Sequence, residues 1–266
     1  MSPRQPEDPY AVAAPLLKIA EDWLAAGKGN NIPLELAFYE MRWREGWRLS
    51  ISRTPKDVEG VSVVTPGGHW YLECRRRPIA EMLSNVAVIH GRRAATLTTS
   101  ARIAEWVKPF LLESGGIRAE NQVSLLRCAK APTVREGRWA TTADLAELKM
   151  YEQKITGSRK KYLDTSWNVL VALKALAVVT RDNSIVSSLR RYGPAPAYAG
   201  ISDLFGTSTL KDDETGAKLA GFVISEILSQ RKAVYVLVYE GDATALAMYR
   251  KLGFEDQGTF YRAYLE

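Results

Sequence analysis

The sequence predicts an α/β protein over its second half, residues 134–266, and three observations support this class. Strand and helix patterns follow one another there in the order β, α, α, β, β, β, α, β, α, β. An apolar, β-branched strand at 234–238 leads through a short turn into a helix at 244–252. That helix ends at Gly253, a residue that can turn into the left-handed conformation without a steric penalty.

The elements before this strand follow from capping and turn residues. Thr141 or Thr142 can cap a helix that runs through 148 and 151, with Asp144 in its first turn. The pair Asp182-Asn183 suits the tip of a hairpin. The other predicted elements are a helix at 162–173, strands at 175–180, 184–191 and 197–205, a helix at 216–230 and a last strand at 258–265.

One motif lies in the helix that opens at 244. Ala245, Tyr249, Gly253 and Phe254 stand at the spacing A-x-x-x-Y-x-x-x-G-F. This stretch resembles the closing half of the GNAT superfamily of acyl-CoA-dependent N-acyltransferases, and the element order and the tail at 253–261 are similar to it too. The resemblance covers about half of the chain. It implies the GNAT fold, a mixed, mostly antiparallel twisted sheet flanked by helices.

The same resemblance implies an activity. GNAT enzymes move an acyl group from acetyl-CoA or another acyl-CoA to a primary amine by direct attack, so the chain is expected to be an N-acyltransferase, most simply an N-acetyltransferase. Tyr249 would be the general acid that protonates the leaving thiolate. From spacing alone a second interpretation stays open, because Leu246, Tyr249 and Leu252 share one helix face and the tyrosine could be a core residue.

A base must accept the proton of the attacking amine, because an ammonium group cannot attack. Asp203, on the strand at 197–205, is the nearest carboxylate and the candidate base. A water chain is the alternative acceptor of this proton. A carboxylate that simply faces solvent is the alternative interpretation of Asp203.

The resemblance also implies where acyl-CoA would bind. Backbone N–H groups after the strand would hold the acyl group and pantetheine, at Thr207, Ser208 and Thr209. The family loop R/Q-x-x-G-x-G/A, which holds the pyrophosphate at a helix N-terminus, aligns with 213–218. It assigns coenzyme contacts to Thr215, Gly216, Ala217 and Lys218.

This loop departs from the family pattern. Asp213 stands where the family has Arg or Gln, and Lys218 where it has Gly or Ala. The carboxylates at 212–214 would repel a diphosphate. Acidic residues also stabilise a helix N-terminus by themselves, so an ordinary helix start that binds no ligand is the alternative interpretation of this segment. Asp242 and Ala245, at the start of the next helix, are further candidate coenzyme contacts, although Asp242 can also serve as the N-cap.

The first half predicts a smaller α/β unit. Its predicted elements are a helix at 10–26, strands at 47–52, 61–64, 70–74 and 93–99, a helix at 101–112 capped by Ser100, and a strand at 122–128. This order resembles the degenerate GNAT-like unit that precedes some bacterial acetyltransferases. We therefore expect an N-terminal domain at 1–130, a linker at 131–137 and a GNAT domain at 138–266.

Composition indicates which broad class of protein this is: soluble, membrane-spanning, secreted or metal-binding. Hydrophobic residues make up 46% and charged residues 25% of the chain, as in soluble globular proteins. No apolar run is long enough for a membrane span, and no secretory signal is recognised at the start. The cysteines, Cys74 and Cys128, are isolated, and with His69 and His90 they form no metal-ligand spacing. We expect a cytoplasmic protein without a metal.

The net charge of +6 gathers in short basic runs. Solvated faces and attraction of a polyanion are both compatible with such runs, and direct nucleic-acid recognition is not predicted. An aminoacyl-tRNA or an acyl carrier stays open as the donor, and so does a non-catalytic GNAT-derived binding module. The acceptor is expected to be a small-molecule or peptide amine, and the sequence leaves a homodimer open. The runs are 75–77, 92–93, 159–161 and 190–191.

Overall fold

A computed structural model describes residues 14–27, 30–41, 46–55, 57–89, 94–156, 167–206 and 214–266. The chain forms two compact units. Unit 1 comprises residues 1–121 and 260–266, and unit 2 comprises residues 122–259. The predicted boundaries at 130 and 138 stay a prediction. No helix of the described residues is long and apolar enough to cross a lipid bilayer.

Unit 1 consists of helices packed on a mixed sheet. Its elements are α1 (Ala14–Ala26), α2 (Ile32–Met41), β1 (Arg48–Arg53), β2 (Val58–Val64), β3 (His69–Cys74), α3 (Arg77–Ile89), β4 (Thr96–Thr99), α4 (Ala101–Ser114) and the first part of β5 (Ile117–Cys128). Strands β1, β2 and β3 form an antiparallel meander, and β3 pairs with β4 in parallel. The last residues of the chain, 261–264, form the other neighbour of β4.

The core of unit 1 contains Trp70, which is fully buried and donates a hydrogen bond from its indole N–H to Ser62 Oγ at 2.8 Å. Such a partner offsets the cost of burying the indole nitrogen. Helices α3 and α4 pack around this tryptophan through Leu83, Ile103 and Val107.

Unit 2 repeats this arrangement. Its elements are the rest of β5, β6 (Arg138–Trp139), a 3-10 turn (Thr142–Asp144), α5 (Leu145–Thr156), α6 (Trp167–Ala172), β7 (Leu176–Arg181), β8 (Ser184–Tyr192), β9 (Tyr198–Gly206), α7 (Thr215–Leu228), β10 (Ala233–Tyr239), α8 (Ala243–Lys251) and the first part of β11 (Glu255–Leu265). β6, β7, β8 and β9 are successively antiparallel neighbours. β10 pairs with β9 in parallel and with residues 123–128 of β5 antiparallel.

The predicted order β, α, α, β, β, β, α, β, α, β is confirmed over 138–265. The hairpin tip is confirmed as well, because Asp182 and Asn183 have φ angles of 49° and 60°, as a two-residue type I′ turn requires. The capping residue before α5 is Thr141, whose backbone N–H donates to Asp144 Oδ2 at 2.7 Å. The predicted helix at 162–173 is observed only over Trp167–Ala172, and residues 157–166 lie outside the described part.

Two helices of unit 1 were not predicted. Helix α2 is buried on nearly all sides, so its sequence lacks the polar face that marks an amphipathic helix. Helix α3 begins at Arg77 with Pro78 in its first turn, a position where proline favours a helix start. The remaining predicted elements of unit 1 are present. The starts predicted at 10 and 93 lie outside the described residues, and the other ends differ by a few residues from those predicted.

Candidate functional site

The candidate site begins where two parallel strands separate. β9 and β10 are paired from Tyr198 with Ala233 to Ile201 with Val236, and beyond these residues the ladder ends. β9 nevertheless continues to Gly206 and β10 to Tyr239. A gap at the carboxyl ends of adjacent parallel strands is a place where α/β proteins commonly bind ligands.

A β-bulge in β9 accompanies this separation. Ser188 pairs with Phe205 and Arg190 with Ser202, so Leu189 alone opposes both Asp203 and Leu204. Asp203 has a φ of 55°, in the left-handed region that side chains other than Gly, Asn and Asp rarely adopt. The extra residue bends β9 at this point, and the sequence pattern did not predict it.

The end of β9 is held from the opposite side. The carbonyl oxygen of Phe205 accepts hydrogen bonds from Tyr151 Oη and from Ser187 Oγ, both at 2.9 Å. Tyr151 and Trp167 are buried in the core formed by α5, α6 and β7.

Tyr249 is fixed by the end of α8. Gly253, with a φ of 87°, leaves the helix in the left-handed conformation. The Gly253 N–H bonds to the Arg250 carbonyl oxygen at 3.0 Å, and the Phe254 N–H bonds to that of Tyr249 at 3.1 Å. This pair of bonds is the Schellman motif, and its usual apolar contact is made by the rings of Tyr249 and Phe254, whose centroids lie 5.2 Å apart. The Y-x-x-x-G-F spacing therefore puts the glycine at the turn of the Schellman motif and the two rings at the positions that contact each other.

The environment of Tyr249 keeps its hydroxyl protonated. The side chain is 5% exposed and belongs to the core that α7 and α8 form on β10. Burial, and then the charges of Asp203 and Asp242, raise the pKa of the phenol above its ordinary value of 10. The structure thus shows Tyr249 packed in the core, and its role as the general acid stays a prediction.

Asp203 has two polar neighbours at the bulge. Ser202 Oγ donates to its Oδ2 at 3.0 Å, and Arg190 Nη1 lies 3.4 Å from the same oxygen. Arg190 is nine-tenths buried, whereas Asp203 is 25% exposed. The sequence showed Arg190 only as part of the basic run 190–191, because the bulge that brings it to Asp203 could not be read from the strand pattern.

The first turn of α7 forms the next part of the site. Its N-cap residue, Glu214, makes no side-chain capping hydrogen bond, and its first intrahelical bond is from Lys218 N–H to the Glu214 carbonyl at 2.8 Å. The amides before Lys218 therefore have no acceptor within the helix. A Cβ on Gly216 would lie 3.6 Å from Leu204 Cδ2, so this turn lies against the residue that follows Asp203.

These features fit the pyrophosphate of an acyl-CoA in part. Amides that have no acceptor within their own helix suit a diphosphate, and Ala217 and Thr215 belong to the same turn. Lys218 supplies one positive charge, although its Nζ lies 3.7 Å from Glu214 Oε2. Thr207, Ser208 and Thr209, assigned to the acyl group and pantetheine, lie outside the described residues, as do Asp212 and Asp213.

Asp242 and Ala245 cap α8. Asp242 Oδ1 accepts a hydrogen bond from the Ala245 N–H at 2.9 Å, which shows Asp242 in the N-cap role that the sequence left open. The Asp242 carboxylate is thereby oriented by the helix, and it is also one of the two charges near Tyr249. Asp203 and Asp242 are thus the two carboxylates whose charges raise the pKa of Tyr249 after burial.

The chain was compared with protein families, with curated proteins and with solved structures. No family model matches the sequence, and no curated protein matches it. Solved structures do match. A GNAT-family acetyltransferase from Colwellia psychrerythraea aligns with a TM-score of 0.61 and 12% identity, over 94% of this chain and 97% of its own.

Two further structures show the same likeness. A GCN5-related N-acetyltransferase from Kribbella flavida has a TM-score of 0.59 and 14% identity, over 88% of this chain and 92% of its own. A tandem GNAT protein from the clavulanic acid biosynthesis pathway has a TM-score of 0.59 and 14% identity, over 95% and 97%. The prediction of the GNAT fold is confirmed, and because the matches span nearly the whole chain, the likeness includes unit 1.

Proposed function

We propose that this protein is an N-acyltransferase that moves an acyl group from an acyl-CoA, most simply acetyl-CoA, to a primary amine. The observation that carries the proposal is Tyr249, a protonated phenol that a Schellman motif fixes and on which the charges of Asp203 and Asp242 act. The bulge in β9 and the uncapped first turn of α7 support it. The likeness to structures of GNAT acetyltransferases agrees with this chemistry.

Each side chain has a role in the proposed reaction. The first turn of α7, with Gly216 and Lys218, holds the phosphates of the donor. A backbone N–H of β9 beyond the bulge donates to the thioester carbonyl oxygen and stabilises the charge that develops there. As the amine nitrogen forms its bond to the carbonyl carbon, the C–S bond breaks.

Two protons move in this step. Asp203, directly or through water, takes the proton that the amine nitrogen gives up, and its neighbour Arg190 keeps the carboxylate oriented. Tyr249 gives its proton to the thiolate that leaves. The products are an amide and free CoA, and the tyrosine is reprotonated from solvent.

Titration with acetyl-CoA and initial rates with a panel of primary amines test the proposal. We expect saturable binding of acetyl-CoA and release of free thiol that depends on the amine. Tyr249→Phe should bind acetyl-CoA within about twofold of wild type but lower kcat by about 10²- to 10⁴-fold, the usual contribution of a general acid.

Tyr264→Phe is the matched control, because it removes a phenol hydroxyl from unit 1 and should leave kcat unchanged. Absence of saturable acetyl-CoA binding would contradict the donor. A Tyr249→Phe enzyme with the wild-type rate would contradict the role of the phenol. Thiol release from a charged carrier, but not from CoA, would favour the alternative donor.

A further inference from the structure

The last peptide of β9 joins Phe205 to Gly206, and two buried side chains bind its carbonyl oxygen. Tyr151 Oη and Ser187 Oγ each donate a hydrogen bond to this oxygen at 2.9 Å. Tyr151 is fully buried and Ser187 is 1% exposed. Burial raises the pKa of Tyr151 to about 12, so the phenol keeps the proton that it donates. The two donors together occupy both lone pairs of one carbonyl and fix its direction.

The two donors approach the oxygen from opposite faces of the sheet. Ser187 pairs with Val179 of β7, a member of the core that α7 and α8 form, and residues opposite each other in an antiparallel ladder share a face. Tyr151 belongs to the core on the other face, formed by α5, α6 and β7. The Phe205 oxygen is therefore held between the two faces, on the side of β8, the strand that carries Ser187.

This arrangement fixes the direction of the next N–H group. The peptide is trans, and in a trans peptide the C=O and N–H bonds point in opposite directions. Because the Phe205 carbonyl points toward β8, the Gly206 N–H points away from β8. The neighbour of β9 on that side is β10, which leaves the ladder after the pair Ile201 and Val236. The Gly206 N–H is therefore directed into the gap between the separated strands.

Unit 1 provides an internal comparison, because it has the same element order. In each unit, two helices precede a three-stranded antiparallel meander, then a helix, a strand parallel to the third one, and a final helix. The parallel pair β3 and β4 thus corresponds to β9 and β10, and α4 corresponds to α8. The carboxyl ends of β3 and β4 are the place in unit 1 that corresponds to the candidate active site.

The strand ends of unit 1 are joined at this place. The Leu72 carbonyl of β3 accepts a hydrogen bond from Thr99 Oγ1 of β4 at 2.8 Å and one from Asn31 Nδ2 at 3.3 Å. A polar network continues from there, because Glu73 accepts from Asn31 Nδ2 at 2.9 Å and from Arg102 Nη2 at 2.8 Å. A backbone carbonyl of β3 thus points toward the parallel partner, whereas the Phe205 carbonyl of β9 is turned away from it.

Two other features distinguish the same place in the two units. The ladder of β2 with β3 is unbroken from Gly60 to Val64, whereas β9 has its bulge at Asp203. The residue seven positions after the N-cap is Tyr249 in α8 but the buried Val107 in α4. The open gap, the bulge, the phenol and the turned peptide therefore occur together in unit 2.

We propose that Tyr151 and Ser187 are positioning residues for acyl transfer, which hold the Phe205 carbonyl so that the Gly206 N–H donates to the thioester carbonyl oxygen of the bound donor. This inference rests on the proposed function. Both side chains are buried, so they act through the peptide and not on the substrate. As the amine nitrogen bonds to the carbonyl carbon and the C–S bond breaks, negative charge develops on that oxygen, and an N–H already directed at it needs no reorganisation.

Infrared spectroscopy of acetyl-CoA labelled with ¹³C at the thioester carbonyl tests the inference on the full chain. Without an amine, binding to wild type should lower the carbonyl stretching frequency, because a hydrogen bond weakens the C=O bond. The double variant Tyr151→Phe/Ser187→Ala should lose most of this lowering and bind acetyl-CoA within about threefold of wild type. Its kcat should fall by about 10- to 100-fold, less than the about 10²- to 10³-fold expected when such a donor is removed outright.

Three variants control the experiment. Tyr249→Phe should lower kcat but leave the carbonyl frequency of wild type, because the phenol acts on the sulfur. Ser225→Ala removes a hydroxyl that donates to the Gly221 carbonyl of α7 at 2.8 Å, and it should change neither quantity. Ser187→Ala alone is the smaller change, and its frequency shift and kcat should lie between those of wild type and the double variant. It decides the test if the double variant does not fold.

The possible outcomes separate this inference from the function on which it rests. A wild-type carbonyl frequency or a wild-type kcat in the variants that bind acetyl-CoA overturns the role of Tyr151 and Ser187 and leaves the proposed function standing. The same holds if binding to wild type does not lower the frequency at all. Absence of acetyl-CoA binding to wild type overturns both proposals.

Discussion

The two units of this chain share one element order but differ at the carboxyl ends of their parallel strands. In unit 2 the strand before the parallel partner carries a bulge at Asp203, and the helix after it presents Tyr249. In unit 1 the corresponding strand is regular, and the corresponding helix position is the buried Val107. The fold alone therefore provides a place at the strand ends, and a few residues decide what chemistry that place supports.

The difference has a local physical basis. A bulge and a phenol depend on single residues with special backbone or helix-end geometry, whereas the joined strand ends of unit 1 depend on a polar network across three elements. Unit 2 is thus sensitive to backbone changes at individual positions. Unit 1 is sensitive to the charge of a buried carboxyl, Glu35. Substitutions can test the two sensitivities separately.

The largest expected effect on binding is at the bulge. Asp203→Val introduces a β-branched residue at a φ of 55°, whereas Asp203→Gly removes the same carboxylate and tolerates that angle. We expect the valine variant to be less stable than the glycine variant by about 1–3 kcal/mol and to bind acetyl-CoA at least about tenfold more weakly. Urea denaturation and calorimetric titration measure the two quantities. Equal stability of both variants would mean that the bulge does not depend on this backbone angle.

A second prediction concerns the buried carboxyl of unit 1. Glu35 loses its proton near pH 4.5 in the unfolded chain but near pH 7 in the folded protein, so wild type should lose stability as the pH rises through this window. The expected loss between pH 4.5 and pH 7.5 is on the order of 2–3 kcal/mol, and Glu35→Gln should not show it. Urea midpoints across this range measure the difference.

The exposed Glu105→Gln variant is the reference for this experiment, and it should follow the wild-type pH dependence. If Glu35→Gln lost stability with rising pH as wild type does, the carboxyl would not be the titrating group.

The smallest expected effect is at the end of α8. Gly253→Ala must adopt a φ of 87°, but its Cβ would meet nothing within 4 Å, so the cost is conformational only. We expect a loss of about 1–2 kcal/mol, with a fall in kcat because the same turn positions Tyr249. Gly216→Ala is the comparison for stability, since its backbone is helical and its Cβ has room, and it should be neutral or stabilising. Equal effects at the two glycines would contradict the cap.

Local signals in the sequence predicted most of unit 2. The helix ending at Gly253 and the turn at Asp182-Asn183 depend on residues close in sequence, and both are present as predicted. The bulge could not be predicted from the sequence, because Asp203 lies in an ordinary strand pattern and its backbone angle depends on its neighbours in β8. The same is true of Arg190, which faces Asp203 only because the register shifts there.

In unit 1 the missing information was tertiary. Helix α2 is covered on nearly every side, so its sequence has no alternation between core and solvent. Helix α3 begins at the third of three successive arginines, which were interpreted as a charge run although Pro78 marked a helix start. The polar network at the end of β3 combines residues separated by tens of positions, Asn31, Glu73 and Arg102, and no motif joins them.

Residues 260–266 belong to unit 1, and this has a consequence while the ribosome makes the chain. Residues 261–264 pair with β4, so one edge of that strand stays unpaired until residues more than 160 positions further along have been made. At roughly 5–20 residues per second, the ribosome needs on the order of ten seconds to add the residues after 121, and nascent unit 1 lacks this neighbour for that time. A truncated product keeps the edge open permanently, and open strand edges are where chains pair and aggregate.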